Sequence, residues 1–199
     1  MTQIDFYYDF GSPNAYVVHK TLPGIAAKFD VEVTHCPALL GGVFKATNNQ
    51  APLRAFADVP GKVDYIRTEF ARFIERHSLP FKWNPHFPVN TLALMRAAIF
   101  AQGKDWQATF IDAGFDAMWL DGHDMSQPDV FGQVMNNAGL PSEDILSATQ
   151  LPDIKGRLAE ATEAAITRGI FGAPTMFLND EMFFGKDALS DLEWRLRKG

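Results

Sequence analysis

The sequence predicts an α/β protein in which a small strand-and-helix part is divided between the two ends of the chain. Strand-like segments occur near both ends, whereas residues 44–168 carry apolar residues at helical spacing. The chain has 199 residues and 47% of them are hydrophobic, which is enough to bury a substantial core without disulfide bonds or metal ions. We therefore expect one α/β unit that carries a large helical insertion.

The N-terminal part predicts a strand, a helix and a second strand. Residues 4–10 form an aromatic-rich run that ends at Gly11, which is typical of a strand leading into a turn. Ser12-Pro13 then puts a preferred N-cap residue before a proline, so we predict a helix from here to about Phe29, with Pro23-Gly24 as a place where it bends or breaks. Residues 31–36 alternate like a strand, and a strand-helix-strand unit predicts two parallel strands.

The middle of the chain predicts helices, and the C-terminal part returns to strands. The predicted helices cover residues 62–77, 91–102, 106–120, 128–138, 142–150 and 153–168. Two short strands follow at 175–178 and 181–184, joined by a tight turn, and a last helix covers 187–197. This order fits a thioredoxin-like domain of residues 1–43 and 169–199 with an all-helical domain of residues 44–168 inserted in it.

Composition excludes several classes of function. The net charge is −6 and no block rich in lysine and arginine occurs, so we expect no nucleic-acid partner. No apolar run approaches the ~20 residues that cross a bilayer and no signal-peptide pattern is visible, so we expect a cytoplasmic protein without membrane contact. The single cysteine, Cys36, rules out an internal disulfide, and we interpret it as a core residue. No paired histidine spacing or nucleotide-binding motif occurs, so we expect no metal and no nucleotide cofactor.

Two segments resemble a known superfamily. Residues 6–16, Phe-Tyr-Tyr-Asp-Phe-Gly-Ser-Pro-Asn-Ala-Tyr, resemble the start of the DsbA-like oxidoreductases, whose redox members carry C-P-x-C after the first strand. Here those positions are Ser12, Pro13, Asn14 and Ala15, and such a Ser-Pro marks the branch that holds kappa-class glutathione transferases and 2-hydroxychromene-2-carboxylate isomerases. Residues 171–187 are similar to the isomerase pattern F-G-V-P-T-M-F-x-x-D-E-M-x-x-G-x-D. The resemblance covers nearly the whole chain.

The resemblance implies glutathione as cofactor and gives Ser12 a role. From spacing alone Ser12 is a plain helix N-cap, but a helix N-terminus also stabilises an anion. The resemblance implies that the Ser12 hydroxyl donates to the glutathione thiolate and positions it, with no covalent attack by the serine itself. It also implies that the Ala173-Pro174 bond is cis and that the backbone of Ala173 pairs with glutathione.

Four polar residues complete the expected glutathione site. By resemblance Asp187 binds the amino group of the γ-glutamyl arm, whereas spacing alone makes it the N-cap of the last helix. Lys186 stands where relatives often have serine or asparagine, so we expect only its backbone N–H to hold the γ-glutamyl carboxylate. Asn49 and Lys62 fall where the kappa class contacts glutathione, and the Lys62 ammonium suits the glycyl carboxylate. A solvated surface lysine is the alternative for Lys62.

For a second, aromatic substrate the sequence offers weaker candidates. We expect Lys45 to pair with a substrate carboxylate, Asn90 to donate or accept a hydrogen bond, and Asn84 and Pro85 to line the same place. Aromatic side chains that could contact the substrate ring are Tyr7, Phe44, Trp83 and Phe87.

Three hypotheses for function follow. The first is a glutathione-dependent isomerase that interconverts 2-hydroxychromene-2-carboxylate and trans-o-hydroxybenzylidenepyruvate, or a related intermediate of aromatic degradation. The second is a kappa-like glutathione transferase or peroxidase, and the third is a non-catalytic protein of the same fold. The family implies a homodimer.

Overall fold

A four-stranded mixed sheet forms the centre of the α/β part. The computed structural model describes residues 2–198. The strands are β1 (Gln3–Tyr8), β2 (Glu32–Pro37), β3 (Thr175–Leu178) and β4 (Glu181–Phe184). Their order across the sheet is β2-β1-β3-β4, with β1 and β2 parallel and the other two pairs antiparallel. The four predicted strands and the parallel first pair are confirmed.

Alternation along β1 puts its side chains on two faces of the sheet. Ile4, Phe6 and Tyr8 are buried in the main hydrophobic core. Tyr7 points to the other face, where it packs with Phe177 against a smaller cluster. Each face of the sheet therefore packs against its own hydrophobic cluster, and β1 contributes to both because successive side chains of a strand point to opposite faces.

Helix α1 (Pro13–Phe29) connects β1 to β2 and is continuous. Pro23 lies inside it, so the helix loses one backbone hydrogen bond there without ending. Asp30, in the left-handed conformation with φ of 52°, ends the helix. The predicted extent of this helix is confirmed, and Pro23-Gly24 does not break it.

Most of the chain between β2 and β3 is helical, and residues 78–91 form an irregular segment within it. Its helices are α2 (Leu40–Thr47), α3 (Pro52–Ala55), α4 (Lys62–His77), α5 (Leu92–Ala101), α6 (Gln107–Asp116), α7 (Pro128–Asn137), α8 (Ser142–Ala148) and α9 (Pro152–Thr167). The six predicted helices are confirmed within a few residues at their ends. Helices α2 and α3 were not predicted, and α2 starts before residue 44, where the sequence placed the boundary of the insertion.

Two short irregular helices accompany these elements. A π-helix of Ala117–Asp121 extends α6, and a 3-10 turn of Lys186–Ala188 precedes α10 (Leu189–Leu196). The predicted last helix thus begins as a 3-10 turn. Within residues 2–198, no helix combines the length and the apolar character needed to cross a membrane.

The helical insertion and the α/β part share one hydrophobic core. Phe10, after β1, packs against Phe110 and Phe115 of α6. The indole N–H of the buried Trp119 donates to the backbone oxygen of Phe10 at 2.7 Å. From α1, the Tyr16 hydroxyl donates to the backbone oxygen of Pro80 at 2.6 Å. The end of β1 and the start of α1 are therefore fixed by the insertion as well as by the sheet.

Candidate active site

Ser12 lies at the turn between β1 and α1. Its backbone N–H donates to the backbone oxygen of Asp9 at 3.0 Å, and its backbone is extended, with φ of −98° and ψ of 114°. The Ser12 Oγ accepts a hydrogen bond from the N–H of Ala15 at 3.1 Å. Ser12 is therefore the N-cap of α1 with Pro13 at the first helical position, as predicted. Its side chain lies at the N-terminus of a long helix, the end at which an anion is stabilised.

The Ser12 hydroxyl also donates to the backbone oxygen of Ala173, at 3.0 Å and 161 residues away in the chain. The Ala173-Pro174 bond is cis, as the resemblance implies. The fold thus brings two separately predicted site elements into direct contact. A hydroxyl has a single proton to donate. In this structure that proton is used by Ala173, so a thiolate would receive it only after the hydroxyl has turned away from Ala173.

Asp9 holds this turn in place, and sequence reasoning missed it. One carboxylate oxygen accepts from the N–H of Gly11 at 2.8 Å and the hydroxyl of Thr91 at 2.7 Å, and the other from the N–H of Leu40 at 2.8 Å. Burial raises the pKa of this carboxyl above its usual value, and the three hydrogen bonds oppose the shift. The available signal was an acidic residue at the end of an aromatic strand, directly before the Ser12 turn.

A cavity of about 850 Å³ opens beside Ser12, between the α/β part and the insertion. Seven predicted site residues line it: Ser12, Asn49, Asn90, Ala173, Pro174, Lys186 and Asp187. Its aromatic lining residues are Phe44, Phe56, Phe70, Trp83, Phe87, Phe171 and Phe184. The cavity is therefore mostly apolar with a small set of polar groups at Ser12, the usual composition of a small-molecule site.

Lys186 is buried in the cavity wall, and its ammonium is paired twice. It donates to Glu69 of α4 and, at 2.8 Å, to Asp187, and it lies 5.1 Å from the centre of the Phe73 ring. The sequence assigned Lys186 a backbone role only, so this side-chain arrangement and the contribution of Glu69 were missed. Since Lys186 serves two carboxylates, one side chain joins α4 to the segment that follows β4.

Asp187 and Asn49 both line the cavity but differ from the roles that spacing suggested. Asp187 lies within the 3-10 turn and makes no N-cap hydrogen bond, and its carboxylate is bound on one oxygen by Lys186. Its side chain is 76% exposed, which leaves it accessible to a ligand. The Asn49 amide donates to the backbone oxygen of Phe171 at 2.8 Å, so it fixes the loop before the cis bond.

Lys62 and Lys45 do not line the cavity. Lys62 begins α4, and its ammonium lies 5.3 Å from the centre of the ring of Phe56, a lining residue, so Lys62 is at the rim. Lys45 is exposed on α2, next to the lining residue Phe44. Neither lysine forms an ion pair within residues 2–198.

Asn84 and Pro85 were expected near the substrate, and the structure does not bring them to the cavity. The buried Asn84 amide donates to the backbone oxygens of Met118 and His123, and its oxygen accepts from the N–H of His86. All its hydrogen-bonding groups are thus used by backbone atoms of the π-helix, of the segment after it and of its own loop. Asn90 does line the cavity, with its oxygen bound to the N–H of Leu92 at 3.0 Å.

Three of the four expected ring contacts lie at the cavity. Phe44, Trp83 and Phe87 are lining residues, and Phe87 precedes a second cis proline, Pro88. Tyr7 lies elsewhere, because it is on the other face of β1 and its hydroxyl accepts from Arg168. The odd position of Tyr7 in the β1 alternation could have shown this from the sequence.

Comparisons with known proteins agree with this fold and this turn. The family of DSBA-like thioredoxin domains matches residues 3–197. The 2-hydroxychromene-2-carboxylate isomerase of Pseudomonas putida is 31% identical over 195 residues, which cover 96% of this chain and 92% of that protein. The chain is therefore an enzyme of the DSBA-like thioredoxin family and, within it, belongs to the family of the 2-hydroxychromene-2-carboxylate isomerases.

Two further comparisons show similarity to a solved isomerase structure and to a kappa-class transferase. A solved structure of a 2-hydroxychromene-2-carboxylate isomerase matches with a TM-score of 0.87 and 26% identity, covering 98% of this chain and 95% of the other. The kappa 1 glutathione S-transferase of Rattus norvegicus is 24% identical over 207 residues, covering 97% of this chain and 90% of that protein.

Proposed function

We propose that this protein is a glutathione-dependent isomerase that interconverts 2-hydroxychromene-2-carboxylate and trans-o-hydroxybenzylidenepyruvate, or a closely related aromatic compound. The observation that carries the proposal is the contact of Ser12 with Ala173 at the edge of a large aromatic cavity. The relatives named above support the reaction class. Glutathione would supply the thiolate, which adds to an unsaturated carbon, allows rotation about the resulting single bond and leaves again.

The residues around Ser12 fit the groups of glutathione. Helix α1 presents its N-terminus and the Ser12 hydroxyl to the cavity, which suits a thiolate. Asp187, with one carboxylate oxygen bound by Lys186 and the side chain exposed, suits the γ-glutamyl ammonium. Lys62, at the rim, suits the glycyl carboxylate. We keep these assignments, with Asn49 and Lys186 as residues that fix the surrounding loops.

The Ser12–Ala173 hydrogen bond suggests how binding prepares the site. An extended peptide at the cis bond would donate its own N–H to the Ala173 oxygen, as a short added strand does. The Ala173 oxygen would then keep a hydrogen bond without Ser12, and the Ser12 hydroxyl would turn its proton to the sulfur, because a hydrogen bond to an anion is the stronger one. Ser12 would thus have two alternative acceptors, the Ala173 oxygen and the glutathione thiolate.

An assay tests this proposal directly. We expect conversion of trans-o-hydroxybenzylidenepyruvate, followed by its absorbance, with glutathione and none with S-methylglutathione, which has no free thiol. Ser12→Ala should reduce the rate, whereas Ser126→Ala, at a site far along the chain, should not. Equal conversion with and without glutathione, or no conversion at all, would contradict the proposal.

A kappa-like transferase or peroxidase is the second candidate, and one observation favours it. Lys45, the expected partner for a substrate carboxylate, is not among the cavity residues. An uncharged electrophile would not need that partner. Turnover of 1-chloro-2,4-dinitrobenzene or cumene hydroperoxide, together with no isomerisation of trans-o-hydroxybenzylidenepyruvate, would establish this alternative.

A further inference from the structure

A second cavity, of about 360 Å³, lies between α2, α5 and α9. Most of its wall is apolar and is formed by Leu39, Leu92, Leu158 and Ile166. Cavities that hold small ligands have volumes of roughly 300 to 1,000 Å³, so this one is large enough for a small molecule. Leu39 and Leu92 also line the first cavity, so the two cavities share a wall.

Two cationic side chains line this second cavity without a partner. Within residues 2–198, Arg96 and Lys155 form no ion pair and no side-chain hydrogen bond, although the chain has a net charge of −6. The Nε of Arg96 is buried and has no hydrogen-bond acceptor. A buried donor without an acceptor costs free energy, so a ligand that accepts a hydrogen bond from this nitrogen would remove that cost.

The other polar groups of the cavity do not act as acceptors for Arg96 or Lys155. The Thr162 hydroxyl is already used, since it donates to the Leu158 oxygen at 2.8 Å and accepts from the Leu39 N–H at 3.1 Å. Glu163 lines the cavity, but it lies eight residues after Lys155 on α9, or about 12 Å along the helix axis. At this separation the Glu163 carboxylate does not neutralise the Lys155 ammonium, and the Lys155 end of the cavity stays positive.

We propose that this second cavity binds a small carboxylate with an aromatic or alkyl body. The carboxylate pairs with the guanidinium of Arg96 and with Lys155, and it accepts the hydrogen bond of the buried Nε. The apolar body packs against Leu158, Ile166 and the shared wall, which an inorganic anion would leave uncovered. This site is distinct from the Ser12 cavity and does not depend on the proposed isomerase activity.

Methyl NMR of the full chain, with 4-phenylbutyrate as the probe, tests the proposal. Ile166 lines only the second cavity and Ile66 lines only the first, so their δ1 methyl signals report the two sites separately. We expect 4-phenylbutyrate to shift the Ile166 signal with saturation. The neutral 4-phenylbutyramide and inorganic phosphate should leave that signal unchanged.

Charge-removing variants identify the residues that bind. Arg96→Gln and Lys155→Gln should each weaken the affinity for 4-phenylbutyrate, read from the Ile166 signal, about tenfold, as expected for loss of a charge-assisted hydrogen bond. Lys104→Gln, a surface lysine away from the cavity, should leave it unchanged, and Glu163→Gln should leave it unchanged or strengthen it. Native methyl dispersion shows that each variant is folded. A shift at Ile66 alone, equal binding of the amide, or an unchanged response in Arg96→Gln would overturn the proposal.

Discussion

The Asp9 carboxylate and the Thr91 hydroxyl are 2.7 Å apart, and this hydrogen bond links the end of β1 to the start of α5. The same carboxylate binds the N–H groups of Gly11 and Leu40. One buried side chain thus joins the Ser12 turn, α2 and α5, three elements that meet at the first cavity. The geometry of Ser12 depends on contacts from the insertion as well as on its own helix.

Thr91→Val should destabilise the protein, because it removes one of the three hydrogen bonds to a buried carboxylate at nearly constant volume. We expect a loss of about 1–2 kcal/mol in the free energy of unfolding, measured by denaturant titration. Thr47→Val is the matched control, since the Thr47 hydroxyl bonds only to a carbonyl of its own helix. An equal loss of unfolding free energy in the two variants would show that the hydrogen bond to Asp9 stabilises the protein no more than one within a helix.

Ser12→Ala should affect both stability and catalysis. Loss of the N-cap bond to Ala15 costs about 1 kcal/mol of stability. Loss of the donor to the thiolate should lower kcat about a hundredfold, the usual effect of removing one donor from a developing or bound anion. The thiolate absorbance of bound glutathione near 240 nm, followed against pH, should also show a raised thiol pKa in the variant.

A normal kcat in Ser12→Ala, with only the loss of stability, would restrict Ser12 to its capping role. The Ser126→Ala control should retain the wild-type thiol pKa and rate, because Ser126 bonds to Asp124 in a loop remote in sequence from the Ser12 turn.

His35 should make stability depend on pH. Burial, with a smaller contribution from neighbouring His19, lowers the pKa of His35 from 6.5 to about 4. Because the unfolded chain then binds a proton more readily than the folded one, the stabilising contribution is complete above pH 6.5 and is lost as pH falls toward 4. Between pH 7 and pH 5 we expect His35 to account for a loss of about 2 kcal/mol.

The difference between wild type and His35→Gln, measured by denaturant titration at both pH values, isolates this contribution. His86→Gln, which changes an exposed histidine, should keep the wild-type pH dependence. A pH dependence in His35→Gln equal to that of the wild type would contradict the assignment.

Cys36 should be unreactive in the folded protein. Burial raises the pKa of its thiol to about 12, so the nucleophilic thiolate is scarce at neutral pH. We expect slow reaction with an aromatic disulfide reagent at pH 8 and fast reaction after denaturation. Cys36→Ser should leave glutathione-dependent turnover unchanged, and a fall in turnover would give this cysteine a role that the structure does not indicate.

Much of the fold could be predicted because its signals are local. Apolar spacing and proline or glycine breaks located α4 to α9, and Ser12-Pro13 located the start of α1. Helix α2 was missed because it is short, contains Gly41 and Gly42, and follows Leu39, which makes no side-chain cap bond. Its start is fixed by Asp9, a residue 31 positions earlier, and no local pattern reports such a contact.

The site was predicted in part for the same reason. Ser12, Ala173, Pro174 and Asp187 lie in motifs that can be compared along the chain, and all line one cavity. The pairing of Lys186 with Glu69 could not be predicted, because it joins residues 117 positions apart. The hydrogen bonds of Asn84 to buried backbone groups could not be predicted either, because an asparagine suits a substrate contact equally well.

The strand order has a consequence for how the chain is made. β1 is an inner strand, with β2 on one side and β3 on the other, yet β3 follows the whole helical insertion in the sequence. While the insertion is being translated, one edge of β1 has no strand to pair with and offers its N–H and C=O groups to any other strand. Completion of the sheet requires contacts between distant parts of the sequence, which form slowly. A nascent chain of this protein is therefore exposed to wrong pairing from the synthesis of β1 until β3 has left the ribosome.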